Sequence, residues 1–269
     1  MSDTNYIYLR FPVQILRCEF YDIRKVCMDA IQYGVMEYMK ERKYKGIEGF
    51  IRAIKELNIT YGDWNSSDYS DQPKAAINYL KELHYSKCYH EQNERYNELK
   101  DSIETPITCS IKKSLLLDFL NKPKSEFDVA VFRFFIAINA IQGISKFGNA
   151  TYDRVFATMF GYNTDRNIEI DGIKMAGLTS VEREIYLEYS TIKIRKKIIN
   201  TLQNDYYLKW FPAGQRGNFY SFTIGRLALA TIVETRKSND RKRKNAFVGA
   251  NKKAKELAVK NLKDKGLYH

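Results

Sequence analysis

The chain lacks long apolar runs and has few cysteines. No stretch of about 18 or more apolar residues occurs, so a membrane-spanning helix is not expected. The four cysteines, Cys18, Cys27, Cys88 and Cys109, are widely separated. That usage indicates the free thiols of a reducing compartment. Because the N-terminal residues also lack the order of a secretion signal, we expect a cytoplasmic protein.

Motifs of the common catalytic and metal-binding classes are missing as well. The group His84, Cys88 and His90 has no fourth ligand at a usual zinc spacing. The chain contains no phosphate-binding Gly-x-x-x-x-Gly-Lys-Ser/Thr loop and no Gly-x-Ser-x-Gly turn. The histidine pairs of rolling-circle nicking enzymes and the Arg…His-x-x-Arg set of tyrosine recombinases are also absent. We expect no enzymatic activity, metal or cofactor, although scattered carboxylates leave a nuclease as an open alternative.

Positive charge is concentrated at one end of the chain. The net charge is +12, but residues 190–269 contain 19 Lys+Arg against 5 Asp+Glu, whereas residues 1–189 have a net charge of −2. A one-ended basic excess is typical of proteins that bind a polyanion. A segment that only keeps the protein soluble is the alternative. A membrane surface is less favoured, because the basic segment lacks an apolar face with tryptophan anchors.

The first 105 residues favour helices and are close to neutral. The apolar spacing predicts an extended segment at 6–17 and helices at Asp22–Glu41, Gly46–Leu57, 74–86 and 88–103. The polar, turn-rich stretch 62–73 predicts a loop between them. These patterns indicate no function for this region.

One helix of the second half is apolar on almost every side. It is predicted from Glu126 to Gln142, with Ser125 as its N-cap and Gly143 as its end. A helix with this distribution is buried, so we expect it at the centre of the fold.

Shorter elements are predicted around this central helix. They are a helix at 110–120, a turn or short strand at 144–149, a helix at 151–160, a loop at 162–180, a basic helix at 190–203, strands at 206–211 and 219–224, and a helix at 226–237 before a lysine-rich tail. The glycine-bearing stretch 212–218 between the two strands is typical of a hairpin connection.

The order of elements from 125 to 224 resembles the winged helix-turn-helix domain. In that family the third helix enters the DNA major groove, and the hairpin loop, or wing, contacts the flanking backbone or minor groove. The resemblance implies that helix 190–203 reads DNA. The link at 162–189 departs from the family, whose helices are joined by about three or four residues. Either this link holds an inserted helix, Val181–Tyr189, or the basic helix begins at Val181.

Apolar and basic side chains of helix 190–203 fall on opposite sides at about 100° per residue. The apolar half contains Ile192, Ile194, Ile198, Ile199 and Leu202. The opposite half contains Lys193, Lys196, Lys197 and Asn200. Lysine neutralises phosphate, and asparagine can pair with an adenine edge, so these four are candidate DNA contacts. An ordinary solvated helix is the alternative, and Arg195, at the edge of the apolar half, is expected to be structural.

Two further groups complete the predicted interface. The first lies at the hairpin tip and contains Gln215, Arg216 and Asn218, where Gly214 and Gly217 let the backbone approach a phosphate. The second lies in the tail and contains Arg241, Lys242, Arg243 and Lys244. We expect the tail to add phosphate contacts.

The sequence therefore predicts a mainly α protein with a small β-hairpin. Its expected parts are a helical N-terminal domain at 1–105, a winged-helix-like domain at 106–237 and a basic C-terminal helical tail at 238–269. We expect it to bind duplex DNA as a transcriptional regulator or a replication initiator of a mobile element, and a homodimer would suit a symmetric site. The alternatives are a helical protein-interaction module, or an RNA-binding protein that stacks bases on Tyr206, Trp210 and Tyr220.

Overall fold

The computed structural model describes residues 7–59, 74–101, 107–162, 178–212 and 217–264 of the chain. In these ranges the protein is mainly helical, which confirms the predicted mainly α fold class, and it carries two small antiparallel sheets. The helices are α1 (Ile23–Glu41), α2 (Gly46–Glu56), α3 (Lys74–Asp101), α4 (Lys113–Asn121), α5 (Glu126–Gln142), α6 (Tyr152–Met159), α7 (Ser180–Tyr189), α8 (Ile192–Asp205) and α9 (Arg226–Asp264). The strands are β1 (Tyr8–Pro12), β2 (Thr108–Lys112), β3 (Gly148–Ala150), β4 (Lys209–Pro212) and β5 (Asn218–Ser221).

Helix α5 lies at the centre of the fold, which confirms the prediction from its apolar circumference. A capping box between Ser125 and Asp128 begins the helix, and it ends at Gly143, whose φ is +55°. Phe132 belongs to one hydrophobic cluster and Phe134 to another, because these side chains leave the helix on different sides. Helix α5 therefore joins the two cores of the molecule.

The first core contains β1, β2 and helices α1 to α4. The two strands are antiparallel, with Leu9 opposite Ile111 and Phe11 opposite Cys109. The prediction of a helix at 110–120 is wrong at its start, since Thr108–Lys112 is a strand and α4 begins at Lys113. Pairing with a strand about 100 residues earlier decides this conformation. Packing also crosses position 105, because Leu9 and Ile111 belong to the same cluster.

A buried arginine links this first core to the second. Arg133 of α5 is 0% exposed, and its guanidinium donates hydrogen bonds to the carbonyl oxygens of Leu16 (2.9 Å), Glu19 (3.0 Å) and Met159 (3.4 Å). It also lies 4.7 Å from the ring centroid of Phe20. The two terminal nitrogens of this buried charge are thus paired with backbone carbonyls from both halves of the molecule, whereas the buried Nε has no hydrogen-bond partner among the described residues.

The second core contains α6, α7, α8 and a three-stranded sheet in the order β3-β5-β4. The predicted hairpin is present as β4 and β5, in which Trp210 is opposite Tyr220 and the two rings stack. Gly148 of β3 is opposite Tyr220, and a Cβ there would lie 2.4 Å from the tyrosine ring. Only glycine therefore allows β3 to pair at this point.

Both hairpin strands are shorter than predicted, for local reasons. The first begins at Lys209, because the preceding Tyr207 adopts a φ of +57° and turns the chain out of α8. The second ends at Ser221, whose hydroxyl oxygen accepts hydrogen bonds from the amides of Thr223 and Ile224. This local turn competes with continued pairing of the strand.

The last helix continues well beyond the predicted end at 237. Helix α9 has 39 residues, and only its first part packs on the sheet, through Leu229 and Val233 against Phe219. Every side chain from 241 to 259 is exposed. Similarly, the two helices predicted at 74–86 and 88–103 form the single helix α3.

Candidate nucleic-acid interface

Helix α8 is held against the body of the protein by one buried face. Ile198, Ile199 and Leu202 are 0%, 7% and 0% exposed and belong to the second core. The hydroxyl of Thr191 accepts a hydrogen bond from the amide of Ile194 and caps the first turn. The position of the helix and its rotation about its axis are therefore fixed by packing.

The buried face of α8 is narrower than its apolar half. Ile194 is half-buried and Ile192 is 66% exposed, so Ile192 does not share the burial of the other residues of the apolar half. Ile192 is the first residue of the helix, directly after the turn from α7. This position places it beyond the surface that buries Ile198 and Leu202.

The four candidate residues of α8 lie together on its solvent side. Lys193, Lys196, Lys197 and Asn200 are all exposed. Their spacing of three, four and seven residues makes a continuous stripe along one face of the helix. We call these four residues the α8 stripe. The Nζ of Lys197 also lies 4.2 Å from the ring centroid of Phe127, the second residue of α5, which ties the stripe to the central helix.

Arg195 lies beside the stripe and has a different environment. Its guanidinium carbon lies 4.2 Å from the ring centroid of Tyr152, and its side chain is partly buried. This cation–π contact fits the structural role expected for Arg195 and attaches α8 to the start of α6.

The link before α8 is resolved in favour of the inserted helix. Helix α7 ends at Tyr189 and α8 begins at Ile192, so Ser190 and Thr191 alone connect them. A capping box between Thr179 and Glu182 begins α7, and the hydroxyl of Tyr162 donates a hydrogen bond to the Glu182 carboxylate. The alternative that the basic helix begins at Val181 is wrong. The predicted loop at 162–180 lies mostly outside the described residues.

The hairpin tip is only partly described, and one of its candidates is misplaced. Gln215 and Arg216 lie outside the described residues. Asn218 is 5% exposed, pairs with Ala150 and Pro212, and its side-chain amide donates to the carbonyl oxygen of Ala150 at 3.5 Å. The expectation that Asn218 lies at an exposed tip is therefore wrong, because β3 covers it.

Gly217 also has a role other than the expected one. Its φ is +78°, and a Cβ there would lie 2.6 Å from the carbonyl oxygen of Ala150 and 2.9 Å from the amide nitrogen of Thr151. Because Gly217 has no side chain, its backbone comes close to the junction between β3 and α6 of the same chain.

The tail candidates lie on the exposed part of α9. Arg241, Lys242, Arg243 and Lys244 are all exposed. Four consecutive helical residues point in directions about 100° apart, so these cations surround the helix axis. No buried face holds them in one orientation, in contrast to the α8 stripe.

The aromatic residues of the hairpin do not form an exposed stacking surface. Tyr220 is 0% exposed, and Trp210 and Tyr206 are partly buried. Base stacking on an RNA-binding sheet needs exposed rings. This burial counts against the RNA-binding alternative.

The described ranges also bear on metal binding and on membrane insertion. Within them, no three His, Cys, Asp or Glu side chains are grouped so that they could hold a metal ion. No helix in the same ranges combines the length and apolar character needed to cross a membrane. The exposed acidic residues Glu184 and Glu188 of α7 lie on a solvated helix surface.

No protein-family model matches the chain, and no curated protein or solved structure is significantly similar to it. A function for this chain therefore has to rest on its own residues, among which the α8 stripe is a patterned group of exposed cations on a helix whose opposite face is buried.

Proposed function

We propose that this chain is a non-enzymatic, cytoplasmic protein of the winged helix-turn-helix class that binds duplex DNA through the α8 stripe. The observation that carries the proposal is the stripe itself: three lysines and an asparagine in line on a helix whose opposite face is buried. Lysines suit phosphates, and an asparagine amide suits an adenine edge, so the stripe combines groups for attraction and for reading.

The arrangement around α8 supports this class. A central helix, a short strand, helix α6, two helices joined by a two-residue turn and a hairpin occur in this order along the chain, and the sheet order is β3-β5-β4. Helix α8 has 14 residues and is about 21 Å long. An α-helix with its side chains is about 10–12 Å across, so it fits the B-DNA major groove, which is about 12 Å wide.

The hairpin of β4 and β5 follows α8 in chain order, as the wing does in that class, and α9 supplies further cations. Residues 238–264 contain nine Lys+Arg and three Asp+Glu, so this part of α9 attracts a polyanion from outside the packed body. We propose a regulator or a replication initiator as the biological role, acting as a homodimer where the DNA site is symmetric.

The proposal is tested by fluorescence anisotropy of a labelled random duplex over a salt series. The variant Lys193→Ala/Lys196→Ala/Lys197→Ala is expected to bind more weakly and to lower the salt slope by up to about 2.7, since each lost phosphate contact removes about 0.9. An unchanged slope removes α8 from the interface.

A matched control keeps the same change of charge away from the stripe. Lys25, Lys45 and Lys55 are exposed residues on α1, directly before α2 and on α2, away from the stripe. Their triple alanine variant is expected to retain the wild-type salt slope. Equal losses in the two variants would show that net charge alone governs binding. Competition with single-stranded DNA and RNA tests whether the duplex is preferred.

A protein-interaction module is the second candidate function, and one observation favours it. Phe247 and Leu257 are 66% and 61% exposed on the far part of α9, which is more apolar surface than a solvated tail needs. Absence of duplex binding near 0.1 M salt, where non-specific binders still have a Kd of roughly 10⁻⁴ to 10⁻⁶ M, would favour this candidate.

A further inference from the structure

A cavity of about 670 Å³ lies where the two cores meet, at the C-terminal end of α8. This volume lies within the range of small-molecule sites, which is about 300–1,000 Å³. Its walls come from β1, β2, α4, α5 and the chain that leaves α8. The lining residues on which the argument depends are Tyr8, Asp118, Phe135, Asp205, Tyr206 and Tyr207.

Two exposed tyrosines stand at the edge of this cavity. Tyr8 is 54% exposed and Tyr207 is 72% exposed, although both side chains line the same space. Tyr207 also has a φ of +57°, a strained conformation for a bulky residue. Strain at non-glycine residues concentrates at binding sites, and here it holds a phenol ring at the mouth of a cavity.

The interior of the cavity is aromatic as well. The ring centroids of Phe135 and Tyr206 are 4.6 Å apart, and those of Phe135 and Phe222 are 5.2 Å apart. Phe135 packs against both cores, so it belongs to a rigid wall. A planar ligand would therefore meet ring faces inside the cavity and at its edge.

The end of α8 places negative charge at one wall of the cavity. Asp205 ends α8 at the cavity wall, where the carbonyl end of the helix adds negative potential. The pKa of Tyr206 is raised above its ordinary value, first by burial and then by the nearby carboxylates of Asp205, Asp128 and Asp118. Asp118 is paired with Lys122 and Lys124.

Cations lie at the cavity as well. Lys112 of β2 is among the lining residues. The Nζ of Lys209 donates a hydrogen bond to the carbonyl oxygen of Tyr207 at 2.7 Å and lies 5.9 Å from its ring centroid. The preference for a positive ligand is therefore carried by Asp205, the end of α8 and the ring faces, since π faces attract cations.

We propose that this cavity binds a planar organic cation of small-molecule size, with its ring against Tyr207 and Phe135 and its charged group towards Asp205. A ligand in this position would contact Asp205, the last residue of the helix that carries the α8 stripe, and Tyr207 just after it. We therefore expect it to change the affinity for duplex DNA, and this second part rests on the proposed function.

The binding site is tested by titration calorimetry of the full chain with three probes. Tryptamine carries a ring and a positive charge, indole-3-propionate carries the same ring with a negative charge, and putrescine carries positive charge without a ring. Tryptamine is expected to bind with a Kd of about 1 mM or tighter, the range that ligand efficiency gives for a molecule of its size. It is expected to bind at least ~5-fold more tightly than either other probe.

Variants at the cavity edge separate specific from general effects. Tyr207→Ala is expected to weaken tryptamine binding by ~2- to 13-fold, the range for one aromatic pair, and Asp205→Asn by ~5-fold. The controls Leu227→Ala and Glu184→Gln change exposed residues of α9 and α7 and are expected to leave the Kd unchanged. Equal binding of tryptamine and indole-3-propionate would overturn the proposal, as would insensitivity to both cavity variants.

The regulatory part is tested by duplex anisotropy with and without saturating tryptamine. A shift in the duplex Kd that disappears in Asp205→Asn supports coupling, and an unchanged Kd rejects it. Failure of the proposed function is distinguishable, because calorimetry reports tryptamine binding even when the chain does not bind DNA.

Discussion

Helix α8 and the far part of α9 both present several cations, but they differ in what supports them. In α8 the cations lie opposite Ile198 and Leu202, which are fully buried in the second core. In α9 no side chain from 241 to 259 is buried, and Arg241 to Lys244 surround the helix axis. One helix thus holds its charges in a fixed orientation, whereas the other carries them without a packed face.

This difference predicts different contributions to binding. A contact that is pre-positioned by packing can distinguish one base pair from another, because its geometry is fixed before the complex forms. Cations around an unpacked helix mainly supply phosphate attraction that does not depend on sequence. We therefore expect specificity from α8 and general affinity from α9.

The largest effect is expected from shortening a buried side chain that holds α8 against the second core. Leu202→Ala is expected to lower the free energy of unfolding by about 2–5 kcal/mol, since it removes a fully buried side chain from the second core. The same change at Leu257, which is 61% exposed, is expected to stay within about 0.5 kcal/mol. Urea unfolding of both variants measures the difference. A concentration-dependent loss in Leu257→Ala would instead indicate that a second copy covers α9.

The next effect concerns the charges of α9. Replacing Arg241, Lys242, Arg243 and Lys244 by alanine is expected to lower the salt slope of duplex binding by up to about 3.6. The ratio of affinities for a preferred and a random site should remain unchanged, because these cations do not read bases. The measurement is anisotropy on both duplexes over a salt series, and a loss of preference would contradict the division of roles.

A smaller effect is expected from the single amide of the α8 stripe. Asn200→Ala is expected to reduce discrimination at one base pair by about 1–3 kcal/mol, while stability is retained because the residue is exposed. A site selected with the wild-type chain and its single-base variants provide the assay. Equal weakening on all of these duplexes would mean that Asn200 contacts only the backbone.

The sequence predicted those features that depend on neighbouring residues. Asp22 caps α1 and Ser125 caps α5 where the patterns place the helix starts, because a cap and an apolar spacing are local signals. Helix α8 and the exposed positions of its lysines followed from the same spacing. The aromatic and β-branched residues of the two segments, with the glycine-bearing stretch between them, were enough to locate the hairpin, although its strands proved shorter.

Features that depend on distant residues were missed. Strand β2 forms because Cys109 and Ile111 pair with β1, which precedes them by about 100 residues. Asn218 is buried because β3 lies beside it, and the sequence around the hairpin does not reveal that third strand. The cavity at the end of α8 was missed for the same reason, since Tyr8 and Tyr207 meet there only through the fold.

The smallest expected effect tests whether the far part of α9 contributes anything to the folded body. Ala250→Pro is expected to interrupt the helix and reduce the helical circular dichroism signal, because proline removes a backbone donor and clashes with the preceding turn. Its effect on global unfolding should stay within about 0.5 kcal/mol, since the residues that follow are exposed and pack on nothing among the described residues. The matched variant Ala250→Ser should leave both signals unchanged. If Ala250→Pro lowers the unfolding midpoint, the far part of α9 is covered by a partner in solution. Both helices would then have a packed face, and they would differ only in that α8 packs on its own chain and α9 on another molecule.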